Sequence, residues 1–512
     1  MRTDERHENR PRVCKGMMVK VLYINFHQLD FEPELLDLIK LFFNEDKIGT
    51  AKDGFTRDAA ELLLLGDLRA GEKSCVYQIE YIHGECRSEY ILPLPDGIPD
   101  RSQIPERKAF KREMKRAVYS LLSSALGKKL PWGILTGIRP AKIVHELIEK
   151  GFSGSAIRDR LRNYYFLSDE KTELLYEVAA VEKGLLEAGR PDCVSLYIGI
   201  PFCLSRCLYC SFTSYSISKY SGLVDKYLQT LKYELESIGE MLRTRELKVQ
   251  SIYIGGGTPT AVSAAALKDL LSAVEGCISL DGLSEFTLEA GRPDSLDEEK
   301  LALIRNSAVN RISINPQTMN DETLGLIGRN HTAEELAAAY RLARKMGFCN
   351  INMDVIVGLP GEDVRMFENT MKHLCEMDPE SITVHTMALK RASRLNAERD
   401  EYSLISEPEA VEMVNMARGY ARRMGMHPYY LYRQKNMLGN LENIGYCKPG
   451  HESIYNIQIM EEKQSIIAAG AGAITKVVYP EENRIERAFN VKGVEEYIAR
   501  IDEMIYRKKM LF

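Results

Sequence analysis

The sequence predicts an α/β fold built as a partial (β/α)6 barrel of the TIM type, with an α/β domain before it and an extension after it. Three observations support this prediction: a loop with three closely spaced cysteines, a glycine-rich turn one strand later, and a steady alternation of strand-like and helix-like segments from residue 195 onward. The predicted parts are an N-terminal α/β domain, a basic helical connector, the barrel and a substrate-covering C-terminal region, with bounds of 1–105, 106–190, 191–425 and 426–512.

Composition excludes several classes of protein. Charged residues make up 28% of the 512 residues and hydrophobic ones 45%, as in ordinary globular proteins. The net charge of −5 favours neither nucleic acid nor an anionic membrane surface as a partner. No apolar run approaches the ~18 residues of a membrane span, and the first residues have no hydrophobic signal core. Eleven scattered cysteines fit a reducing compartment. We therefore expect a cytoplasmic protein.

The cysteine loop places Cys203, Cys207 and Cys210 within eight residues. A four-iron four-sulfur cluster normally has a thiolate on each iron, so three thiolates leave one iron free to bind a cofactor or substrate. In enzymes that use S-adenosylmethionine as a radical source, this iron holds the amino and carboxylate groups of the methionine moiety. A zinc loop and three unrelated core cysteines are the alternatives, although no second zinc-type knuckle follows in the chain.

The glycine turn comprises Gly255, Gly256 and Gly257, at the end of a strand-like run that begins near residue 249. Glycine has no Cβ atom, so backbone groups there can approach a small polar ligand closely. An ordinary glycine turn is the alternative. Its place one strand after the cysteine loop favours recognition of a methionine amino group.

The barrel itself is predicted from six strand-like segments with helical segments between them. The predicted strands are 195–202, 250–255, 285–290, 311–315, 350–357 and 381–387. Such alternation predicts parallel strands with crossover helices, the last at 407–424. Six units are too few to close a barrel of eight, so a partial barrel is expected, with an open doubly wound sheet as the alternative.

Polar residues at the predicted strand ends indicate a binding site. Glu289, Gln317 and Asp354 lie in or just after segments that are otherwise apolar. Buried polar groups need partners, and three of them at one end of a barrel predict a ligand there. Arg329 is a candidate bidentate partner for a carboxylate.

The motifs together resemble a known family. They are Tyr197-x-x-Ile-Pro-Phe-Cys-x3-Cys-x2-Cys, Gly-Gly-Gly-Thr-Pro-Thr, Arg311-Ile-Ser-Ile-x-x-Gln and Asn352-Met-Asp-x-x-x-Gly-Leu-Pro. Over about residues 190–475 the chain resembles the radical S-adenosylmethionine (radical SAM) proteins related to oxygen-independent coproporphyrinogen III dehydrogenase. The N-terminal extension and the segment that begins at Tyr430 are most similar to the HemZ branch.

The resemblance implies a cofactor, a site and an activity. Cys203, Cys207 and Cys210 would ligate a 4Fe-4S cluster. The implied contacts to S-adenosyl-L-methionine are Tyr197, Tyr209, Gly256, Gly257, Thr258, Glu289, Gln317, Arg329, Asp354 and Ala388. The implied activity is oxygen-independent oxidative decarboxylation of coproporphyrinogen III to protoporphyrinogen IX in haem biosynthesis, with an electron donor such as flavodoxin or ferredoxin. No further catalytic residue is implied.

Two positions depart from the dehydrogenase pattern. Gly199 replaces its histidine, and Phe212 replaces its fourth cysteine. Haem-trafficking relatives share the phenylalanine, but of their His-Asn-x-x-Tyr-Trp motif only Asn456 is retained, within residues 455–460. The alternatives are therefore a haem-delivery protein that retains the fold, or a radical SAM haem or tetrapyrrole methyltransferase.

Other regions carry less specific predictions. An N-terminal domain is expected from strands at 19–26, 75–81 and 88–94 and a helix at 31–44. Six basic residues within 107–116 form either a solvated face or a docking site for an acidic reductant or porphyrin carboxylates. Candidate propionate partners are Lys390, Arg391, Arg394 and Arg433. Candidate haem-iron ligands, which are more often structural residues, are His427, Cys447 and His451.

Overall fold

The computed structural model describes most of the chain. The described residues are 22–26, 29–43, 48–50, 62–70, 75–94, 97–99, 102–137, 139–212, 214–390, 392–435, 437–482 and 484–512. The ends of two predicted elements, at 19–21 and at 44, and the candidate Arg391 lie outside them. The chain divides into two compact units, one of Met1–Gly137 with Leu147–Leu174 and one of Ile138–Glu146 with Leu175–Phe512. The finer division into four parts stays a prediction.

The described residues of the N-terminal part form five strands and five helices. The strands are β1 (Leu22–Phe26), β2 (Ile48–Thr50), β3 (Leu62–Ala70), β4 (Cys75–His83) and β5 (Cys86–Leu94). The helices are α1 (Glu32–Ile39), α2 (Ile104–Leu126), α3 (Ala141–Glu149), α4 (Gly154–Asn163) and α5 (Asp169–Glu187). The strands form one sheet in the order β2-β1-β3-β4-β5, parallel around β1 and antiparallel from β3 to β5. Strands β2 and β3 were not predicted.

The basic residues of α2 are largely engaged within the first unit. Arg107 pairs with Asp30 and Lys111 pairs with Glu34, whose carboxylate lies 2.8 Å from the ammonium group. The guanidinium of Arg116 lies 4.2 Å from the ring centroid of Tyr164. These contacts favour the interpretation of a face that serves its own unit over that of a docking site.

The second unit contains the barrel. Its parallel strands are β6 (Cys193–Ile200), β9 (Lys248–Gly256), β10 (Glu285–Glu289), β11 (Arg311–Ser313), β12 (Ile351–Val357) and β13 (Ser381–Thr386), with a small sheet of β7 (Phe202–Cys203) and β8 (Tyr215–Ser216). They lie side by side in chain order, from β6 through β9 to β13. The predicted partial (β/α)6 barrel is confirmed.

Helices connect these strands, as the alternating pattern predicts. They are α6 (Ser221–Thr244), α7 (Ala264–Cys277), α8 (Glu298–Arg305), α9 (Asp321–Leu326), α10 (Ala333–Lys345), α11 (Val364–Met377), α12 (Arg394–Ala397) and α13 (Glu407–Arg423). Several begin with a side-chain cap, which satisfies backbone N–H groups that have no intrahelical partner. The hydroxyl of Thr332 accepts from the backbone of Glu335, and the Glu335 carboxylate accepts in return at the start of α10.

The C-terminal region extends the barrel sheet at both edges. Its elements are β14 (His427–Tyr432), β15 (Asn443–Cys447), α14 (Ile454–Glu461), β16 (Ile466–Ala469), β17 (Ile474–Tyr479), β18 (Arg484–Phe489), α15 (Val494–Ala499) and α16 (Ile501–Lys509). Strands β15 and β14 continue the sheet antiparallel beyond β13, while β16 lies parallel to β6 and is followed by β17 and β18. This region thus supplies structural neighbours for both outer strands of the barrel.

Helix α14 closes the base of the barrel, by which we mean the end where the parallel strands begin. The hydroxyl of Ser453 and the backbone N–H of Ile454 donate to Glu285, the first residue of β10, at 2.9 and 2.6 Å. The ring of Tyr455 stacks on Tyr253 with centroids 4.6 Å apart, and on Tyr197 at 6.2 Å. The interior of the barrel is therefore filled by aromatic rings from this end.

A buried ion pair fixes the last helices to α6. The carboxylate of Glu234 accepts from Lys508 Nζ and from the Tyr497 hydroxyl, each at 2.6 Å, and from the backbone N–H of Gly470 at 2.7 Å. Asn490 donates to the same carboxylate at 2.9 Å. Because each of its oxygens has donors, the cost of burying this charge is offset by hydrogen bonds. None of the described helices is long and apolar enough to cross a membrane.

Candidate functional site

A cavity of about 260 Å³ opens at the mouth of the barrel, where the parallel strands end. Its lining brings together the three cysteines of the loop and nine of the ten residues predicted to contact the cofactor. The predicted residues that line it are Cys203, Cys207, Cys210, Tyr209, Gly256, Gly257, Thr258, Glu289, Gln317, Arg329, Asp354 and Ala388. The convergence expected from the sequence is thus present in the structure.

The cysteine loop and the glycine turn are joined through their backbones. The N–H of Gly257 donates to the carbonyl of Ile200, and that of Thr258 donates to the carbonyl of Phe202, both at 2.7 Å. A Cβ atom on Gly257 would lie 2.5 Å from the carbonyl oxygen of Phe202 and 3.0 Å from the sulfur of Cys203. Glycine is therefore required here because the two segments approach too closely for any side chain.

The three thiols fit a cluster with one open iron. None of the three forms a disulfide, all are partly buried, and all line the same cavity. Burial raises the pKa of the Cys203 thiol to about 11, so binding of iron has to displace a proton there. Three sulfur ligands on one loop, with space beside them, match the donor set that the sequence predicts.

Glu289 lies at the end of β10 with its carboxyl group in the cavity wall. The hydroxyl of Tyr253 donates to this carboxyl group. Burial raises its pKa to about 7, although the hydrogen bond from Tyr253 acts in the opposite direction. A Cβ atom on Gly255 would lie 2.8 Å from Glu289 Oε2. The first of the three glycines therefore makes room for this carboxyl group.

Asp354 is the second carboxylate of the wall, and it is held in its charged form. Burial would raise its pKa, but hydrogen bonds from His385 and Asn352 outweigh this effect and lower it. Asn352 Nδ2 lies 2.7 Å from Asp354 Oδ1, and His385 Nε2 lies 3.5 Å from Oδ2. The hydroxyl of Tyr432 lies 3.3 Å from His385 Nδ1.

His385 and Tyr432 are site residues that the sequence did not predict. Both line the cavity, as do Gln434 and Asn443 from the C-terminal region. His385 is a polar residue in the strand-like segment 381–387, a signal of the kind that identified Asp354. Tyr432 comes from β14, which the prediction of six parallel strands did not include.

Arg329 has capacity for an anionic ligand. It is 7% exposed, and Nη1 donates to the carbonyl of Asn315 at 2.5 Å. Its Nε is buried and has no hydrogen-bond partner among the described residues. A carboxylate in the cavity would supply that partner, which fits the methionine carboxylate of the implied cofactor.

Gln317 adopts a backbone conformation that other residues avoid. Its φ of 65° lies in the left-handed region, which costs a residue other than glycine about 1–3 kcal/mol. Its N–H donates to the carbonyl of Asp354 at 2.8 Å, and its carbonyl accepts from Ile356 at 3.0 Å. These bonds to β12 hold the strained backbone and keep the Gln317 side chain at the cavity.

Tyr197 is the predicted contact that does not line the cavity. Its phenolic oxygen lies 3.0 Å from the position of a Cβ atom on Gly256, which has a φ of 106°. The tyrosine thus lies next to the glycine turn and against Tyr253 and Tyr455. A direct contact between Tyr197 and the cofactor stays a prediction.

The candidate propionate partners separate into different environments. Lys390 lines the cavity, and its ammonium nitrogen lies 5.5 Å from the ring centroid of Phe212, which is 64% exposed. Arg433 is wrong as a candidate, because it is buried and donates to the carbonyls of Asn440 and Leu441. Arg394 also lies away from the cavity lining and pairs with Glu398 at 3.2 Å.

The candidate haem ligands lie at the other end of the sheet. Cys447 pairs in register with Ser381, the first residue of β13, and its sulfur lies 3.8 Å from His427 Nε2. The same nitrogen lies 3.0 Å from Glu452. The structure brings these residues together at the base and not at the cavity, so they are not ligands for a haem bound in the mouth.

The comparisons with known proteins agree with this geometry. Residues 197–374 match the Radical SAM superfamily. The oxygen-independent coproporphyrinogen-III oxidase-like protein HemZ of Bacillus subtilis (strain 168) is 43% identical, over 79% of this chain and 81% of that protein. The heme chaperone HemW of the same organism is 31% identical, over 60% of this chain and 76% of that protein.

A solved structure supports the fold. The coproporphyrinogen III oxidase HemN from Escherichia coli, described as a radical SAM enzyme, aligns with a TM-score of 0.50 at 22% identity, over 63% of this chain and 73% of that one. The radical SAM family uses a 4Fe-4S cluster and S-adenosylmethionine, and the cysteine loop, the glycine turn and the unpartnered Arg329 Nε provide suitable groups for both. The chain belongs to the HemZ branch of the radical SAM superfamily.

Proposed function

We propose that the chain is an oxidoreductase of haem biosynthesis that converts coproporphyrinogen III to protoporphyrinogen IX without oxygen. One observation carries this proposal: the cavity lined by the cluster cysteines and the cofactor contacts is also lined by Lys390 and by Phe212. A cation beside an exposed aromatic ring matches a substrate that combines propionate carboxylates with apolar pyrrole rings.

The reaction requires a hydrogen atom to leave a propionate side chain. When bound, the cluster and S-adenosylmethionine supply the 5′-deoxyadenosyl radical that removes this hydrogen from the β-carbon. The side chain then releases carbon dioxide and passes one electron to an external acceptor, which leaves a vinyl group. Two propionates react in turn. The protein holds the reacting carbon in place and excludes competing hydrogen donors.

Lys390 is the residue we assign to the substrate carboxylate. Burial lowers the pKa of its ammonium group, whereas the neighbouring Cys210 raises it. An incoming propionate would favour the charged form of Lys390 and form a charge-assisted hydrogen bond with it. The Phe212 ring beside it offers an apolar surface to the pyrrole.

The carboxylates of the wall act on the cofactor. We assign Glu289 to the methionine amino group beside the glycine turn, and Arg329 to the methionine carboxylate. Asp354, held by Asn352 and His385, offers a fixed negative charge to hydroxyl donors.

We assign the reducing electron to a small acidic carrier such as flavodoxin or ferredoxin, because a one-electron reductant is needed to start each turnover.

A haem-delivery protein is the second candidate function. Phe212 and the similarity to proteins named heme chaperones favour it. Against it, residues 455–460, which correspond to the haem-trafficking motif, lie in α14 at the base of the barrel. Tyr455 is buried against Tyr197 and Tyr253, and the side chain of Asn456 donates to the Tyr429 hydroxyl at 3.5 Å.

The test is an anaerobic turnover experiment. The cluster is reconstituted, and reductant, S-adenosylmethionine and coproporphyrinogen III are added while 5′-deoxyadenosine and vinyl-bearing porphyrin are measured. We expect substrate-dependent release of both. Cys207→Ala should abolish both products, whereas Cys349→Ala, at an exposed cysteine outside the cavity, should have no effect.

The same assay distinguishes the candidates. Lys390→Gln should raise the KM for coproporphyrinogen III more than it lowers kcat, and the control Lys372→Gln changes a lysine that is 56% exposed on α11. Cleavage of S-adenosylmethionine without any porphyrin product would overturn the decarboxylase proposal. Tight haem binding without turnover would then support delivery, and methylated tetrapyrrole would support a methyltransferase.

A further inference from the structure

Three ionisable side chains meet in the protein interior, away from the cavity. His145 is on α3, Glu182 is on α5 and Glu461 is the last residue of α14. His145 Nε2 lies 2.8 Å from Glu182 Oε2 and 3.9 Å from Glu461 Oε2. The carboxyl groups of both glutamates are completely buried. We call these three residues the buried triad.

Three of the four carboxyl oxygens of the buried triad lack hydrogen-bond partners among the described residues. Oε1 of Glu182 and both oxygens of Glu461 are buried without a donor, and no other buried carboxyl group in the described part of the chain leaves both oxygens unpartnered. Glu234 shows how the same chain treats a buried carboxylate elsewhere, with donors to both oxygens. An unpaired buried carboxylate costs several kcal/mol, so the triad is incomplete as it stands.

Nearby cations do not complete the triad. Four basic side chains pair with the adjacent Glu462, at separations between 2.5 and 3.3 Å; they are Arg139, Lys142, Lys476 and Arg487. None of them forms an ion pair with Glu182 or Glu461 among the described residues. No side chain among the described residues supplies the missing group, which leaves protons or a metal ion to supply it.

We propose that the buried triad binds a divalent first-row transition-metal ion, with Zn²⁺ as the defining probe. Two carboxylates and a neutral imidazole carry a charge of −2, which one divalent ion neutralises. Imidazole nitrogen and carboxylate oxygen are common ligands of such ions, and ligands about 2.1 Å from one ion lie roughly 3–3.5 Å from each other. The separations within the triad approach this range, so small side-chain movements would complete the site.

The metal would join α3 to two helices that reach the barrel. Helix α14 carries Tyr455 against the rings below the cavity, and α5 leads directly into β6, the strand before the cysteine loop. An ion that bonds to both helices would fix the base of the barrel.

The alternative is a pair of protonated carboxyl groups, since burial raises the pKa of Glu461 to about 8 and raises that of Glu182 as well. The two states differ in metal content and in their response to Glu→Gln changes.

The test measures metal in the protein with its cluster already installed, so that the loop cysteines are occupied. After exposure to Zn²⁺ and removal of the excess, elemental analysis should find one zinc ion per chain in addition to the cluster iron. Glu461→Gln and Glu182→Gln should each weaken zinc binding by more than about 100-fold, because loss of outer-shell partners alone costs ~10–100-fold. The controls are Cys447→Ser and Glu452→Gln, in the cluster of His427, Cys447 and Glu452, and these should keep the ion.

Two further measurements use the wild-type protein. Co²⁺ bound to the wild-type protein should show ligand-field bands without a sulfur-to-cobalt charge-transfer band, because the triad has no thiolate. Zn²⁺ should raise the Tm of the wild-type protein and leave that of Glu461→Gln unchanged. The proposal would be overturned if the cluster-loaded protein contained no zinc. It would also be overturned if Cys447→Ser lost zinc while Glu461→Gln kept it. A Glu461→Gln variant that is more stable than the zinc-exposed wild type would identify protonated carboxyl groups instead.

Discussion

The mouth and the base of the barrel differ in how completely their polar groups are hydrogen-bonded. At the mouth, Arg329 keeps a nitrogen without a partner, and Gln317 tolerates a strained backbone beside an open cavity. Below the cavity, aromatic rings from β6, β9 and α14 stack, and at the base Glu285 accepts hydrogen bonds from the start of α14. Within the barrel, polar groups with unfilled hydrogen-bonding capacity at the mouth, and a carboxylate supplied with donors at the base, separate the part that we assign to ligand binding from the part that holds the strands in place.

The largest expected effect is at the base. Tyr455→Ala removes the ring that stacks on both Tyr197 and Tyr253, and we expect the free energy of unfolding to fall by about 3–5 kcal/mol, as for other buried large-to-small changes. The fraction that stays folded should still cleave S-adenosylmethionine. Denaturant unfolding and a cleavage assay per cluster-loaded chain check both parts. Tyr455→Phe keeps the ring and serves as the control. If Tyr455→Ala lost cleavage activity per cluster-loaded chain as well as stability, the two ends of the barrel would not be separable.

The second effect is at the mouth and should have the opposite profile. Arg329→Gln leaves the methionine carboxylate without its charged partner, so binding of S-adenosylmethionine should weaken by about 100-fold, or ~3 kcal/mol. Arg329→Lys should recover part of this, since lysine cannot bind a carboxylate through two parallel bonds. Calorimetric titration of cluster-loaded protein measures it, with Arg341→Gln, at an arginine that is 62% exposed, as the control. Unchanged affinity in Arg329→Gln would remove this residue from the site.

The third prediction concerns the contact between the cysteine loop and the glycine turn. Gly257→Ala places a Cβ atom 2.5 Å from the carbonyl of Phe202, and the strain should cost roughly 1–3 kcal/mol of stability and most of the bound iron. Gly276→Ala is the matched control, because a Cβ atom there meets no atom within 4 Å. Iron analysis after reconstitution compares the two variants. Full iron occupancy in Gly257→Ala would show that the loop can shift without losing the cluster.

The smallest effect is a pH dependence at Glu289. Its pKa in the folded, cofactor-free protein is raised to about 7, so the group is largely neutral below this pH and charged above it. Only the carboxylate attracts the methionine ammonium group. As the pH rises towards 7, the Kd for S-adenosylmethionine should therefore fall by up to about tenfold for each pH unit, and above pH 7 it should level off.

The linked effect on stability has the opposite sign. Between the ordinary carboxyl pKa of 4.5 and about 7, the folded protein holds more protons at Glu289 than the unfolded chain does, so its stability falls as pH rises through this window. Glu289→Gln should flatten both the binding curve and this part of the stability curve. A wild-type Kd that is constant from pH 6 to 8 would show that Glu289 is charged throughout.

Sequence reasoning found the mouth because its residues belong to short, ordered motifs. Cysteine spacing, the three glycines and polar residues at strand ends each follow from local chemistry, and the structure places Cys203, Glu289 and Asp354 around one cavity. The alternation of strand-like and helix-like segments also predicted the six parallel strands. These are properties that a short stretch of chain can carry alone.

The remainder depends on distant parts of the chain meeting. Strand β16 is only four residues long and pairs with β6, some 270 residues earlier, so no local pattern identifies it as a barrel neighbour. The buried triad could not be predicted either, because its members lie on three separate helices and meet only in the folded chain. Arg433 failed as a propionate partner because a basic residue in the sequence does not show whether carbonyls such as that of Asn440 already surround it.

The pairing of β16 with β6 also sets an order for biosynthesis. The strand that leads into the cysteines has β9 on one side, but its other edge stays unpaired until residues 466–469 have been made. An unpaired edge is prone to wrong association and leaves the adjoining loop without its final support. We therefore expect iron–sulfur delivery to the cysteine loop to follow synthesis of residues 466–469.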